Sequence, residues 1–485
     1  MAYIIRSGNG TLLHDGGGYF YTIHHNRPGS LFYSLRCNQH RRPGVKCLGR
    51  AYMSKVGGPI VLTRNHTGHQ PDVLLPLEKG LRGNILNRVA TGDATPFAII
   101  VRDEGRNGGF PVEVRARLPP CRLRTAMSNV RKHHLPGIPR NLPVLGAYLA
   151  MPQYRRITDT FDHQSNLFAG VCGVYAAGTV SVVFASERQL NLLRTMVKIF
   201  ADGTFRKRPR KPVASQLFTI SCTWPQQGTN TKHTIVLVRV LMQKRSEVAY
   251  VALLEFLKRL VPQWDPEEIH CDHERAQVNA WRTVFPLARV ASCLWHYDVD
   301  VFLYARRLGL YNTMQANVVF DKIVRSLCAI PLLPRHQLME GLVQVGNWAR
   351  ATGFMHFPAV RALFVYLHRE WMSRQDTLSV FGCVDRTNNV SESVNAALCW
   401  HVRKDRPNVY ELINAFVLQE DQFMVDVHAL ERGLDAGRAQ RVSCLLNDRR
   451  IQNLTGNLTN NRITILQFLL AVSHTQQAAY DHVFP

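Results

Sequence analysis

Three carboxylates far apart in this 485-residue chain have the settings of a metal-dependent site. Asp202 closes the hydrophobic run Met196-Val-Lys-Ile-Phe-Ala-Asp202 and is followed by Gly203. Asp272 closes Glu268-Ile-His-Cys-Asp272, and Glu392 ends Asp385-Arg-Thr-Asn-Asn-Val-Ser-Glu392. An acid at the end of a buried strand is costly unless it is paired, hydrogen-bonded or bound to a metal. Hard oxygen ligands of this kind suit Mg2+ or Mn2+. Two such ions about 3.5–4 Å apart would activate a water or a 3′-hydroxyl against a phosphodiester. Each acid also has a plainer reading alone: Asp202-Gly203 as a turn, Asp272 as a helix cap, Glu392 as a surface helix acid.

A second set of ligand types lies near the N-terminus. Cys37, Cys47, His66 and His69 offer two thiolates and two imidazoles within a short basic segment, the number and kind a tetrahedral Zn2+ takes. A module of about 70 residues gains folding free energy from such a staple. The alternatives are two core cysteines with two loop histidines, and other histidines nearby (His24, His25, His40) compete. Cys293 and His296 form a further pair that needs two more ligands to make a zinc site. The eleven cysteines, odd in number and without a Cys-x-x-Cys, suit a reducing compartment.

The charge of the chain points to a polyanionic partner, with a merely soluble basic protein as the alternative. The net charge is +24, and residues 1–160 carry 23 Lys/Arg against 8 Asp/Glu. A basic field of this size favours polyanions, nucleic acid above all. A hydrophobic content of 46% and a charged content of 19% describe a globular chain. No run of eighteen apolar residues is present, so no membrane partner is expected, and the first residues lack the pattern of a signal peptide.

The elements that must position these residues follow from periodicity. Residues 1–72 alternate in short aromatic runs such as Gly18-Tyr-Phe-Tyr-Thr-Ile23, which predicts a small antiparallel β-rich domain. Residues 73–166 read as mixed helix and loop. Within them Thr125–His134 is a basic helix whose Arg131 and Lys132 could sit on phosphates or form an ordinary solvated face. Over 167–310 the pattern is α/β. A strand at Thr179–Phe184 and a helical link from Arg188 to Arg194 come first. Strands ending at Asp202, Cys222 and Leu241 follow, then a helix from Glu247 to Val261 capped by Ser246, a strand ending at Asp272, a helix, a strand over Ala288–Leu294 and a third helix. Three strands followed by alternating helix and strand is the element order of an RNase H-like α/β core, unlike a doubly wound nucleotide-binding domain. Residues 311–384 read as an α-helical insertion and 385–485 as a helical C-terminal region carrying Glu392.

The words around the acids sharpen this reading. Phe200-Ala-Asp-Gly-Thr-Phe205, Gln216-Leu-Phe-Thr-Ile220, Pro266-Glu-Glu-Ile-His-Cys-Asp-His-Glu-Arg-Ala276, Val284-Phe-Pro-Leu-Ala288 and Cys293-Leu-Trp-His296 occur in order. Together they resemble the Mutator-like element (MULE) transposase domain. The resemblance implies an Asp-Asp-Glu triad of Asp202, Asp272 and Glu392, with Asp385, Glu411 and Glu420 as neighbouring acids. It further implies two Mg2+ or Mn2+ ions, double-stranded DNA (terminal repeats and target) as substrate, a homo-oligomer and a nuclear location. A role as a DNA-binding regulator derived from such an element is the alternative. Gly18-Tyr-Phe-Tyr, Leu35-Arg-Cys37, Lys46-Cys-Leu-Gly-Arg-Ala51 and the His66/His69 pair resemble an FLYWCH-type zinc finger. Leu35 stands where that family has tryptophan, and the closing pair is His-x-x-His. This resemblance implies Zn2+ on Cys37, Cys47, His66 and His69, and DNA contacts through Arg36, Lys46 and Arg50.

Overall fold

The structure, a computed structural model, describes residues 3–7, 10–93, 95–224, 231–402, 404–434, 438–439 and 441–484. The chain divides into two compact units, residues 1–135 and 136–485. It is a mixed α/β protein with an N-terminal antiparallel sheet and a helical C-terminal region. Among the described residues no helix is long and apolar enough to cross a membrane.

The first unit opens with six antiparallel strands, each paired with the next: β1 (Tyr3–Ser7), β2 (Gly10–His14), β3 (Phe20–His25), β4 (Phe32–Cys37), β5 (Arg50–Ser54) and β6 (Val61–Arg64). Alternation sends Leu13, Tyr21, Leu35, Ala51 and Met53 into one small core. Helices α1 (Leu75–Ala90), α2 (Phe97–Asn107), α3 (Val112–Arg117) and α4 (Pro120–His134) follow. They bury Leu81, Ile85, Ile100, Leu123 and Met127 together. Helix α4 starts earlier than its basic run predicts, because Pro120 at the first turn is pre-set for a helix.

The second unit begins with α5 (Leu142–Ala150), β7 (Phe168–Cys172), β8 (Ser181–Phe184) and α6 (Glu187–Leu193). Then come β9 (Lys198–Thr204), β10 (Gln216–Trp224), β11 (Thr231–Met242), α7 (Glu247–Leu260), β12 (Glu268–Cys271), α8 (Arg275–Val284), β13 (Arg289–Ser292) and α9 (Leu294–Arg307). The sheet order is β13-β12-β9-β10-β11-β8-β7. Strands β9, β10 and β11 run antiparallel, whereas β12 pairs parallel to β9 and β13 parallel to β12. Strand β8 falls within the strand expected at Thr179–Phe184, whereas β7 and the pairing of β8 with β11 were not expected. Ser246 precedes α7 as expected, but its hydroxyl makes no cap bond and is left without a partner, which corrects the capping expectation.

One sheet face, through Ile199, Ala201, Phe218 and Ile220, packs on Leu253, Leu257 and Trp281 of α7 and α8. The remaining helices are α10 (Tyr311–Ala316), α11 (Val318–Cys328), α12 (Leu338–Ala351), α13 (Pro358–Tyr366), α14 (Gln375–Leu378), α15 (Asn389–His401), α16 (Val409–Glu431), α17 (Val442–Thr459), α18 (Ile465–Val472) and α19 (Gln477–Val483). The last three share one apolar core with α9 to α14 through Ile451, Phe468, Leu469, Val472 and Val483. Helix α15 instead lies across β9, β10 and β11.

Candidate metal-dependent active site and N-terminal metal cluster

Strand β9 does not stop at Asp202 but runs two residues further, so Asp202-Gly203 is strand and not a turn. Gly203 leaves room for the Gln216 amide: a Cβ there would sit 2.2 Å from Gln216 Oε1 and displace it. Asp202 pairs with Thr219, and Thr219 with Arg239, so the three side chains form a row on one sheet face. Asp272 follows β12, the parallel neighbour of β9, and the cap position of α8 belongs to Glu274. Parallel pairing therefore delivers both aspartates to the same end of adjacent strands.

The two carboxylates feel each other's charge. Burial and the charge of Asp272 push Asp202 up to about 6. Burial also acts to raise Asp272, but the His296 and Asn388 side chains override it and hold it below the usual range. The pair thus titrates as a unit, with Asp202 the member that keeps a proton longer. His296 Nδ1 lies 3.0 Å from Asp272 Oδ1, and despite burial Asp272 and Cys293 together push the imidazole up to about 11. The contact is poorly aligned and leaves both atoms without a directed hydrogen bond.

Helix α15 supplies the third wall. Asn395 Nδ2 donates to Asp202 Oδ2 at 2.7 Å, and the Gly203 N–H donates to Asp202 Oδ1 at 2.6 Å. Asn388 is the cap residue, yet its amide does not cap the helix. It donates to the Ala201 carbonyl at 3.3 Å and accepts from Ser391 Oγ at 2.7 Å, fixing α15 to β9. Glu392, one turn before Asn395, is exposed, and its carboxylate has no hydrogen-bond or ion-pair partner among the described residues. The structure therefore brings Asp202, Asp272, His296 and Asn395 together and leaves Glu392 beside them on the solvent side. The other nearby acids are elsewhere: Asp385 pairs with Lys198, Glu411 with Lys404, and Glu420 is buried near Arg188.

The donor set fits a divalent cation. Asp272 Oδ1 and Asn395 Oδ1 are buried acceptors without a hydrogen bond. Oxygens with unused acceptor capacity beside a carboxylate pair are what a hard cation satisfies, although Asp272 Oδ1 already has the His296 ion pair. Asp272, Cys293 and His296 also form a compact mixed group, with one ligand atom of each within 4.8 Å of the others. Cys293 Sγ accepts the Asn388 N–H at 3.1 Å, so it also helps hold the start of α15. Asp272 opens onto a cavity of about 460 Å³ lined by His273, Asp300, Glu370 and Arg374. Burial pushes His273 down to about 3, so it is neutral and binds the Cys293 carbonyl at 2.9 Å. Arg239 was missed by sequence reasoning. It is buried, bonds Thr219 and Gln419, and faces Asp202 electrostatically. Its signal was a cation within the apolar run Ile235–Met242.

Residues 198–298 match the MULE transposase domain. The match runs from the first residue of β9 into α9 and contains both aspartates, Cys293 and His296. It supports a transposase-derived protein. No curated protein matches the chain.

In the first unit Cys37, Cys47, His66 and His69 converge, each ligand atom within 4.8 Å of the others. Cys37 Sγ lies 3.4 Å from His69 Nε2, and Cys47 Sγ 3.4 Å from His66 Nδ1. The sulfur–nitrogen edge of a zinc tetrahedron is about 3.5 Å. The Gln39, Gly49 and Thr67 N–H groups point at the two sulfurs, as thiolates require. Tyr21 OH lies 2.8 Å from His66 Nε2, and the Gln70 carbonyl 3.1 Å from His69 Nδ1, orienting both rings from behind. Gly49 is required by His66, whose ring would lie 2.7 Å from a Cβ there.

Of the expected DNA contacts, Arg36 and Arg50 pair across β4 and β5, and Arg50 pairs with Arg64 on β6. Three arginines thus form a ladder on the face opposite the small core. None of them pairs with an acid among the described residues. Lys46 and Lys132 are exposed. Arg131 departs from expectation. Its guanidinium donates to the Asp93 and Thr95 carbonyls and stacks on Phe97, so it braces the helices of its own unit.

Proposed function

We propose that the protein is a DNA transposase in which Asp202 and Asp272, with Asn395 and the neighbouring Glu392, hold two Mg2+ or Mn2+ ions at the edge of an RNase H-like core. The observation that carries this reading is the electrostatically coupled Asp202/Asp272 pair, with Asp272 Oδ1 and Asn395 Oδ1 lacking a hydrogen bond, inside the segment that matches the transposase domain. The sheet order of three antiparallel strands flanked by two parallel ones supports the RNase H-like assignment. The ions would supply Lewis acidity to the scissile phosphate and a nucleophilic oxygen at neutral pH. Asn395 orients Asp202, His296 keeps Asp272 ionised, and the cavity beside Asp272 leaves room for a strand.

The N-terminal unit is the DNA reader in this proposal, an FLYWCH-type finger with Zn2+ on Cys37, Cys47, His66 and His69. Like charges directly opposite each other on neighbouring strands are destabilising. The Arg36–Arg50–Arg64 ladder is therefore best accounted for by backbone phosphates of double-stranded terminal repeats. Action on two DNA ends calls for a homo-oligomer, and a nuclear location follows from the substrate. One observation favours a second reading, a non-catalytic DNA-binding regulator: an amide, Asn395, and not the Glu392 carboxylate faces Asp202.

Incubation with terminal-repeat DNA and Mn2+ separates the two. The transposase reading expects cleavage by the wild type, lost in Asp202→Asn, Asp272→Asn and Glu392→Gln. Tight binding without cleavage supports the regulator. Cleavage that survives Glu392→Gln alone moves the third acid elsewhere, with Asp300 the next to test.

A further inference from the structure

A second cluster of ligand-type side chains lies on the same sheet face, toward the opposite end of the strands. Glu268 and His270 are two residues apart on β12, so both leave the same face. The irregular segment 379–388 crosses this face between α14 and α15 and brings Cys383 to them. One ligand atom each of Glu268, His270 and Cys383 lies within 4.8 Å of the other two. His270 and Cys383 are only 2% and 6% exposed, and the Glu268 side chain is 28% exposed.

We propose that Glu268, His270 and Cys383 bind one zinc ion that clasps segment 379–388 to the sheet and so sets the position of α15. A thiolate, an imidazole and a carboxylate form a borderline donor set of the kind Zn2+ takes, with water at the fourth position. Glu268, the partly exposed ligand, is the side from which that water would enter. One thiolate and one carboxylate balance the ion, so no net charge is buried. Lys198, which bridges Glu268 and Asp385 at 3.4 and 2.9 Å, keeps its own partner. His270 is held flat against Phe200, with ring centroids 4.9 Å apart, which pre-sets the imidazole. Its Nε2 lies 2.5 Å from Glu268 Oε1, and a zinc tetrahedron widens that edge by under about 1 Å. Rotation at the partly exposed end of Glu268 supplies this.

The clasp has a consequence because the segment has no secondary structure of its own. It is held by Arg289 on the Ser379 and Phe381 carbonyls, by Asp385 on Lys198, by the Leu294 N–H on the Arg386 carbonyl and by Asn388. Cys383 lies midway between the first and last of these anchors. The residues that follow it in α15 are those that face Asp202. The proposal does not depend on whether Asp202 and Asp272 cut DNA.

Metal analysis of the full chain carrying Cys37→Ser and Cys47→Ser tests it. About one zinc per chain is expected to remain, to be lost on adding Cys383→Ser, and to persist on adding Cys293→Ser or Cys399→Ser. No zinc in the starting variant overturns the proposal, as does loss with Cys293→Ser but not with Cys383→Ser. Cobalt loading guards against misfolding. Cys383→His should keep the ion but lose the thiolate charge-transfer band, and a band that survives in this variant overturns the assignment. Chelation should also speed tryptic cleavage at Arg386 several-fold in the starting variant, and an unchanged rate rejects the clasp.

Discussion

Asp202→Asn should make the metal-free protein more stable at neutral pH while removing its ability to gain stability from a cation. Burial and Asp272 raise Asp202 from 3.8 to about 6. The folded state therefore holds a proton between about pH 4 and 6 that the unfolded state has released. Stability of the wild type falls as pH rises through that window and is lowest, on this account, above it. At 1.36 kcal/mol per pKa unit the full cost of ionising Asp202 in the fold is about 3 kcal/mol. The amide is nearly isosteric. It still accepts the Gly203 N–H, and a flip of Asn395 turns its orphaned Oδ1 toward the new donor. In chelator, thermal melts of the unit spanning 136–485 should rise by roughly 4 °C at pH 7.5. The gap should shrink to under about 1 kcal/mol near pH 4. Mn2+ at about 100 times its Kd should stabilise the wild type by about 2.7 kcal/mol and the variant not at all. A variant that is less stable at pH 7.5, or a gap that does not change with pH, refutes the carboxylate-pair argument.

Other outcomes follow from the same geometry. Asn395→Ala should weaken Mn2+ binding about 10–100-fold by calorimetry without unfolding the protein, and unchanged affinity would remove Asn395 from the site. Gly49→Ala should push His66 off its position and speed zinc loss to a chelator although all four ligands remain; wild-type release kinetics would argue against the cluster as drawn. Replacing Arg36, Arg50 and Arg64 with alanine should each lower the salt slope of DNA binding by about 0.9, read by anisotropy across a salt series. A triple variant with the wild-type slope would dismiss the ladder as the phosphate contact.

Much of the core was legible because strand periodicity and helix periodicity are local. The alternation of β9 to β11, the apolar spacing of α7 and the short runs ending in Cys271 and Ser292 each announce their element. The aspartates were legible for the same reason, being polar interruptions at the ends of apolar runs. Glu392 was named as third acid from its setting, but helix rotation decides which residue of α15 meets Asp202. Asn395 and Asn388 hold the inward face there. The bracing role of Arg131 was not legible because a basic helix looks alike whether its arginine meets a phosphate or two carbonyls of its own unit.

By itself the amino-acid order determined which elements form and which residues have the chemistry to bind metal or phosphate, because propensity, periodicity and ligand type are properties of short stretches. Only the tertiary structure decided which of them meet. Parallel pairing of β12 with β9 carries Asp272 to Asp202, and a 4.8 Å cluster gathers Cys37, Cys47, His66 and His69. The crossing of segment 379–388 brings Cys383 to Glu268 and His270, a meeting no spacing announced. Such encounters depend on strand register and chain crossing, which sum weak preferences over the whole fold.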